Sequence, residues 1–501
     1  MEGTGRVREP LGAIARAIVF DRHAQDLWQE VPFYVQIDRA HLVMLLERGL
    51  VPPEHGRRVL EALDMLVADA YAPLRDRPMP RGLYLLYERW LCETVGEAAG
   101  GAVHFGRSRN DINATILRLR LRPVYARLVR EALRLLAVLV RQAERHGRLT
   151  MPVYTHYQAA LPITFGHYLA GVGTALLRDV EGLEDAVRDI DRCPLGAGAA
   201  GGTTVPLDVH RTAQLLGFGD GVQHSVDAVA SRDLVLRVLA ASTVLGITIS
   251  RLATDLLLWS TAEFDLIRFP DSLVGSSSML PQKRNAFLLE HVQGRAGAPL
   301  GAFTAAATAM HATPFSNSVA VGTESVRPLW DAAERMAQAV TLVRLMTAGA
   351  RPQPARMWRR TVDGCTAATE LANRLVCEGG LSFRQAHHEV GALVNEASCR
   401  GESLETAAAR LAAAHGLGDA FALDPRAVAE ASAYGGGPAS SSRARVVDDL
   451  RRGWSHMAGR LADRSRAWAE GSRRLQDAVA AIVGGGPTAS TASSVAVGGG
   501  R

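Results

Sequence analysis

Residues 226–260, VDAVASRDLVLRVLAASTVLGITISRLATDLLLWS, decide the fold class. They contain no proline and a single glycine, Gly246, and beyond Asp227 are apolar nearly all round apart from Arg232, Asp233, Arg237, Arg251 and Asp255. A run of that kind predicts a helix buried among other helices, because no clean polar face is left for water. Similar long stretches lie at about 108–146 (interrupted at Pro123), 164–190, 284–312 and 326–350, so the centre of the chain predicts five helices of bundle length. A helix apolar on several faces has more surface to bury than one small bundle offers. Subunits are therefore expected to share a larger bundle in a homo-oligomer of all-α class.

Outward from that block the texture changes. Residues 1–104 are shorter helical material broken at Pro52-Pro53 and at Pro78-Met79-Pro80, which reads as a small N-terminal helical domain. The central bundle domain is placed at 105–350. After Arg351-Pro352-Gln353-Pro354 a C-terminal helical domain is expected over 351–480, interrupted by Tyr434-Gly435-Gly436-Gly437-Pro438. Its last part carries nine Arg against four acids between Arg443 and Arg474, a pattern that reads as a solvated helix face. Residues 481–501, rich in Gly, Ser and Thr, are expected to form a disordered tail. No strand-rich domain and no internal repeat is evident.

The 501 residues, 48% hydrophobic and 21% charged, suit a large globular core and exclude a chain disordered over most of its length. Five cysteines, Cys92, Cys193, Cys365, Cys377 and Cys399, form no CxxC pair, so neither a disulfide framework nor a zinc site is expected and the cytoplasm is the natural compartment. No run approaches the ~18–20 uncharged apolar residues of a membrane span, and no targeting segment is read at the N-terminus. The net charge of +5 is interspersed rather than gathered into a stripe, which argues against a nucleic-acid partner. Of the 56 basic residues only Lys283 is lysine. A compact ammonium with rotatable donors differs from a planar guanidinium fork, so the one lysine marks a place where only an ammonium fits.

Metalloprotease, phosphate-loop and nucleophile-elbow patterns are missing, and no metal or cofactor is expected. The glycine cluster Gly196–Gly202 lacks the strand and acidic residue of a dinucleotide loop and reads as a tight connection between helices. Four polar segments stand out in the apolar background: His104–Asp111, Tyr154–Gln158, Ser225–Asp227 with Arg232-Asp233, and Ser276–Asn285. Together they supply cationic and amide donors, hydroxyls and a titratable imidazole. Those are the parts needed to remove a proton next to a carboxylate and stabilise the dianion that results.

The segments HFGRSRNDINAT, MPVYTHYQAALPITFGHYLAG, PLGAGAAGGTT, VDAVASRD, SSSMLPQKRN and ELANRLVCEGGLSFRQAHHEVG occur in this order over roughly residues 12–475. In this the chain resembles the argininosuccinate lyase branch of the fumarase/aspartase superfamily, which includes the δ-crystallins. The resemblance implies three mostly helical domains, a homotetramer whose central helices form a twenty-helix core, and active sites each built from three subunits. It also implies a carbon–nitrogen lyase acting on a small molecule, an N-substituted aspartate that splits into fumarate and an amine. The family's flexible loop reads G-S-S-x-M-P-x-K-x-N. Counting without gaps from Glu263-Phe264 and back from Asn285 puts its glycine at Ser276, its first serine at Ser277 and its methionine at Leu280. Ser277 is then the implied base for the β-proton, and Ser276 in place of glycine restricts the loop's backbone freedom. Lys283 and Asn285 would stabilise the dianion, with Gln282 beside them. Lys283, backbone N–H groups and exclusion of water would favour the serine alkoxide. His156, oriented by Glu290, would move the proton to the departing nitrogen, while Ser108, Arg109, Asn110 and Thr155 would hold the succinyl carboxylates.

The amine half departs from the family. Where relatives read L-P-x-x-Y-N-K-D-x-Q-E-D-K, with tyrosine, glutamine and lysine holding the arginine end, this chain has Thr313 to Ser325, TPFSNSVAVGTES, without Lys, Arg, Tyr or Gln. Val209-His210 after Asp208 and Asp38 near the N-terminus depart as well. The expected substrate is therefore an N-substituted aspartate other than argininosuccinate, a class that ethylenediamine-disuccinate lyases also take. Argininosuccinate lyase proper and a catalytically silent, δ-crystallin-like structural protein are the alternatives.

Overall fold

The 226–260 stretch folds as two helices, because Ser231 takes an extended conformation (ψ 128°) between them. The computed structural model describes residues 9, 11–21, 28–75, 77, 79, 81–417 and 423–485. In chain order its helices are α1 (Ala13–Val19), α2 (Val31–Glu47), α3 (Pro53–Ala68), α4 (Ala72–Arg75), α5 (Leu83–Val95), α6 (Glu97–Gly100) and α7 (Arg109–Arg145). A hairpin of β1 (Thr150–Thr155) and β2 (Gln158–Thr164) leads into α8 (Phe165–Ala186), α9 (Val209–Leu215), α10 (Ser225–Ala230) and α11 (Asp233–Trp259). Then follow α12 (Phe287–Ala296), α13 (Ala298–Met310), α14 (Arg327–Gly349), α15 (Pro354–Asp363), α16 (Ala368–Cys377), α17 (Phe383–Arg400), α18 (Leu404–Ala414), α19 (Pro425–Ala431) and α20 (Ser440–Val483).

The all-α expectation holds. α7, α8, α11, the α12–α13 pair and α14 pack on one another as the central bundle. By length and hydropathy α11 could cross a membrane. Its Leu234, Val238, Leu245, Ile249, Leu252 and Leu256 are instead buried in the bundle core, against α8, α12, α13 and α14. Two expected spans differ in detail. Pro123 does not interrupt α7, which runs through it with the proline ring on an exposed side of the helix, clear of the packed faces. The 284–312 span is divided, with a loop to Ala286 and a break at Gly297 between α12 and α13.

Two further apolar clusters flank the bundle. One gathers α2, α3 and α5 with Ile112, Ile116 and Leu119 from the start of α7, and the other joins α16, α17 and α18 through Leu371, Leu375, Val390, Leu393 and Ala407. The 44-residue α20 does not stay with the second cluster. Val447, Leu450, Met457 and Leu461 enter the bundle core, and Leu475 and Val479 enter the N-terminal cluster. Its arginines correct the solvated-face reading over part of their length. Arg451 pairs with Glu144 on α7, Arg460 and Arg464 donate to Glu184 Oε1 on α8 at 2.7 and 3.0 Å, and Arg464 Nε lies 3.1 Å from Asp191. Of the expected tail, residues 486–501 lie outside the described residues.

The strands are a local device. β1 and β2 are antiparallel, with Thr150 opposite Thr164 and Thr155 opposite Gln158. His156 and Tyr157 form the two-residue turn with φ of 51° and 62°. Both turn residues are left-handed, a conformation that hairpins ordinarily give to Asn-Gly. A left-handed L-residue costs about 1–2 kcal/mol, which the rest of the hairpin must offset.

Candidate active site

Ser108 ends an extended segment and caps α7. Its Oγ accepts the Asn110 N–H at 3.3 Å, and Asp111 Oδ1 accepts the Ser108 N–H at 2.9 Å, so serine and aspartate satisfy each other's end of the helix. The other oxygen of Asp111 reaches outward and accepts the N–H groups of Gly196 (3.0 Å) and Gly198 (2.9 Å). Burial pushes this carboxyl up while the three backbone N–H bonds pull it down. The glycine cluster is thereby tied to the start of α7. Gly196 (φ +104°) could not carry a side chain, since a Cβ would lie 2.5 Å from Val209 Cγ1.

Asn110 is fixed from a third direction. Its Oδ1 accepts the Asn317 Nδ2–H at 2.9 Å, and its own Nδ2 donates to the Ala199 carbonyl at 3.4 Å. The stretch 313–325 is thus folded directly against Ser108-Arg109-Asn110. Behind them Arg107 is fully buried and pairs with Asp38, which also accepts the Tyr87 hydroxyl at 2.7 Å. Asp38, read in the sequence as a departure bearing on substrate, is therefore a core partner of Arg107. Asp208 likewise caps α9 through the Arg211 N–H (2.9 Å), Arg211 forks onto Glu47, and His210 lies 3.2 Å from Asp220 at the surface. Burial, with Arg107 and Arg109 nearby, pushes His104 down to about 4.

Ser277 sits in a loop pinched at its base, where Gly275 and Asn285 exchange two backbone hydrogen bonds of 2.8 Å. Its Oγ accepts N–H bonds from Leu280 (3.0 Å) and Met279 (3.3 Å). Two donors aimed at one hydroxyl oxygen favour negative charge on it. Ser276 has no left-handed φ, so its serine is not strained there. Gln282 and Lys283 stand exposed on the same loop, and Asn285 closes it.

His156 projects from the hairpin tip with Thr155 beside it, both exposed, and Glu290 lies on the exposed face of α12. Among the described residues no hydrogen bond or ion pair joins His156 to Glu290, or the hairpin tip and the Ser277 loop to the Asn110 corner. Within one chain the bond from Asn317 to Asn110 joins the 313–325 stretch to the Ser108-Arg109-Asn110 corner, and no such bond among the described residues links the other two groups to it. Asp111 as the organiser of that corner, and Asn317 as its partner, were not singled out by sequence reasoning. The D of SRND was visible, whereas a lone asparagine in a polar loop gives no signal.

This helical bundle with its three polar stations has known counterparts. A lyase family model matches residues 58–301, and one for the argininosuccinate lyase C-terminal region matches residues 365–429. The argininosuccinate lyase of Methanothrix thermoacetophila is 34% identical over 438 residues, covering 86% of this chain and 89% of that one. That of Thermus thermophilus is 38% identical over 412 residues, covering 80% and 86%. A solved EDDS lyase in complex with formate superposes with a TM-score of 0.83 at 29% identity over 95% of this chain and 97% of that one. A class II fumarase from Schistosoma mansoni shares the fold, with a TM-score of 0.69 at 16% identity over 86% of this chain and 97% of its own. Fold and relatives together define a fumarate-releasing carbon–nitrogen lyase of the fumarase/aspartase superfamily. Within that class, the chain belongs to the argininosuccinate lyase family.

Proposed function

We propose that this enzyme reversibly eliminates fumarate from an N-substituted L-aspartate whose amine half is not arginine. The observation that carries the reading is the 313–325 stretch. Counted from Pro314, the family's tyrosine, glutamine and lysine fall on Asn317, Gly322 and Ser325. Ser325 is fully buried and donates its hydroxyl to the Val321 carbonyl at 2.7 Å, so it presents nothing to a ligand. Asn317 is engaged with Asn110. A site built to grip an arginine end loses several powers of ten in discrimination when such polar partners are removed.

In the reaction, Ser108, Arg109, Asn110 and Thr155 hold the succinyl carboxylates and Ser277 Oγ, as its alkoxide, takes the β-proton. The electron pair delocalises into the adjacent carboxylate, where Lys283 and Asn285 meet the extra charge, with Gln282 alongside. Collapse of that dianion breaks the C–N bond. The nitrogen leaves as a protonated amine, its proton coming through His156, which Glu290 orients. The N–H bonds from Met279 and Leu280 support this role for Ser277.

The three stations are assembled from several subunits of a homotetramer with a twenty-helix core. That no hydrogen bond or ion pair joins them within one chain, among the described residues, supports this. So do Val244 and Ile247 on α11, Leu300 on α13 and Leu345 on α14, apolar side chains left exposed on the outside of the bundle. The cysteines, free among the described residues, suit the cytoplasm. Argininosuccinate itself is the second reading, favoured by the names of the relatives at 34 and 38% identity.

Fumarate absorbance on adding argininosuccinate to the purified protein, with Ser277→Ala as control, decides between the two. No release from the folded native enzyme, with adducts forming from fumarate and other amines, is the expected result. Rapid release lost in the variant would return the protein to the arginine reaction.

A further inference from the structure

Most polar side chains of the 313–325 stretch are spent within the chain. Thr313 donates its hydroxyl to the Met310 carbonyl at 2.7 Å, Ser318 Oγ accepts the Val321 N–H at 3.3 Å, and Glu324 pairs with Arg327 at 3.4 Å. With Asn317 bonded to Asn110 and Ser325 to Val321, the hydroxyls of Ser316 and Thr323 are what the stretch keeps exposed. Its larger exposed side chains are apolar. Phe315 is 70% exposed and Val319 68% exposed, and neither belongs to any of the apolar clusters of the described residues. They flank Asn317 two positions away on either side, so each Cα lies within about 7 Å of the residue bonded to the Asn110 corner.

The family pattern carries charge at the positions that fall on 319, 320, 323, 324 and 325, and here only Glu324 keeps one, already paired with Arg327. A charged end on the amine would lose water at this wall without gaining a free partner, whereas a hydrocarbon group beside Phe315 and Val319 is favoured by leaving water. The other two stations carry exposed apolar bulk as well, Met279 two positions from Ser277 and Tyr157 next to His156. We propose that Phe315 and Val319 select the amine half by apolar contact, so that the leaving amine is of the class that bears a neutral hydrocarbon group, alkyl or aryl. This rests on the lyase reading above. The step turns an N-alkyl-L-aspartate into fumarate and an alkylammonium. The C–N bond breaks with its electron pair on nitrogen, and the proton lost from the β-carbon balances the one nitrogen gains, so no co-reactant is needed.

The test gives the full-length enzyme fumarate and a series of amines, with adducts measured by mass spectrometry. From methylamine to propylamine to pentylamine, kcat/KM should rise about fourfold per methylene, the worth of burying one. Isosteres separate shape from charge: propylamine should be favoured at least about tenfold over ethylenediamine, and 3-methylbutylamine likewise over β-alanine. Phe315→Ala and Val319→Thr should each flatten the rise by raising the KM of the longer amines, with the oligomeric mass by light scattering unchanged. A flat series in the native enzyme, or a preference for the charged isosteres, overturns the proposal and leaves the non-arginine reading standing, while addition confined to arginine overturns both. Variants that lose all amines alike with a changed oligomeric mass assign these side chains to subunit packing, which also overturns it. If no amine adds to fumarate, the proposed function fails and binding decides the rest. Calorimetry on the Ser277→Ala enzyme should show N-pentyl-L-aspartate bound at least about tenfold tighter than N-methyl-L-aspartate, a difference that adding Phe315→Ala removes. Equal affinities overturn the proposal.

Discussion

The Asn110 corner and the Ser277 loop, to which the proposed mechanism gives complementary halves of one reaction, are built in opposite ways. At the corner, one buried carboxylate, Asp111, ties a helix start to a glycine connection, and Asn317 adds a third segment from 207 positions away. The loop is held mainly at its base, by Gly275 and Asn285, and leaves Met279, Gln282 and Lys283 in solvent. A substrate's fixed carboxylates need a rigid receptor, whereas the proton-transfer end must open and close to exclude water.

That contrast breaks most visibly at the loop. Ser277→Ala should lower turnover by at least about 10³-fold with the oligomeric mass unchanged, and Lys283→Arg by about 10²-fold, because a planar guanidinium does not replace a compact ammonium. Steady-state fumarate kinetics with sedimentation would check both. Equal effects on Tm and on activity would mean that the loop is structural. At the corner the order reverses, and Asp111→Asn should cost about 2–3 kcal/mol of stability, seen in denaturant unfolding, since the amide keeps the shape but loses charge-assisted acceptance of backbone N–H groups.

A smaller effect depends on pH. His104, pushed down to about 4, and His41, fully buried on the Phe105 carbonyl and also lowered by burial and by Arg107, are neutral in the folded corner. Each unfolded imidazole takes up its proton near 6.5, so the stability these residues contribute is present above that pH and is lost as pH falls toward 4. Thermal unfolding from pH 7 to 4 should show a declining Tm, and the decline should be shallower in His104→Asn. The smallest effect belongs to the hairpin tip, where Tyr157→Gly relieves a left-handed residue and should raise stability by about 1 kcal/mol. A fall in Tm would show that the tyrosine ring is held by a contact in the assembled oligomer.

The five bundle spans were legible because apolar periodicity persists over lengths that only a helix can use. Their breaks at Ser231 and Gly297 were not, since each depends on neighbours that the local pattern does not contain. The hairpin escaped notice because Pro152 and Pro162 stand opposite one another in it, and proline within a run argues against a strand. The proposed site residues stand out as motifs, yet the bond between Asn110 and Asn317 joins positions that no local spacing relates.

Lys283, alone of its kind and exposed, makes the loop chemically addressable. An amine-reactive reagent meets one ε-amine in the whole chain, besides the terminal amine. Reductive methylation with labelled formaldehyde would place one ε-dimethylamine resonance in this loop without any mutation, beside that of the terminal amine. A lysine-specific protease, likewise, can cut the chain only there, so protection from cleavage would report directly on whether fumarate closes the loop.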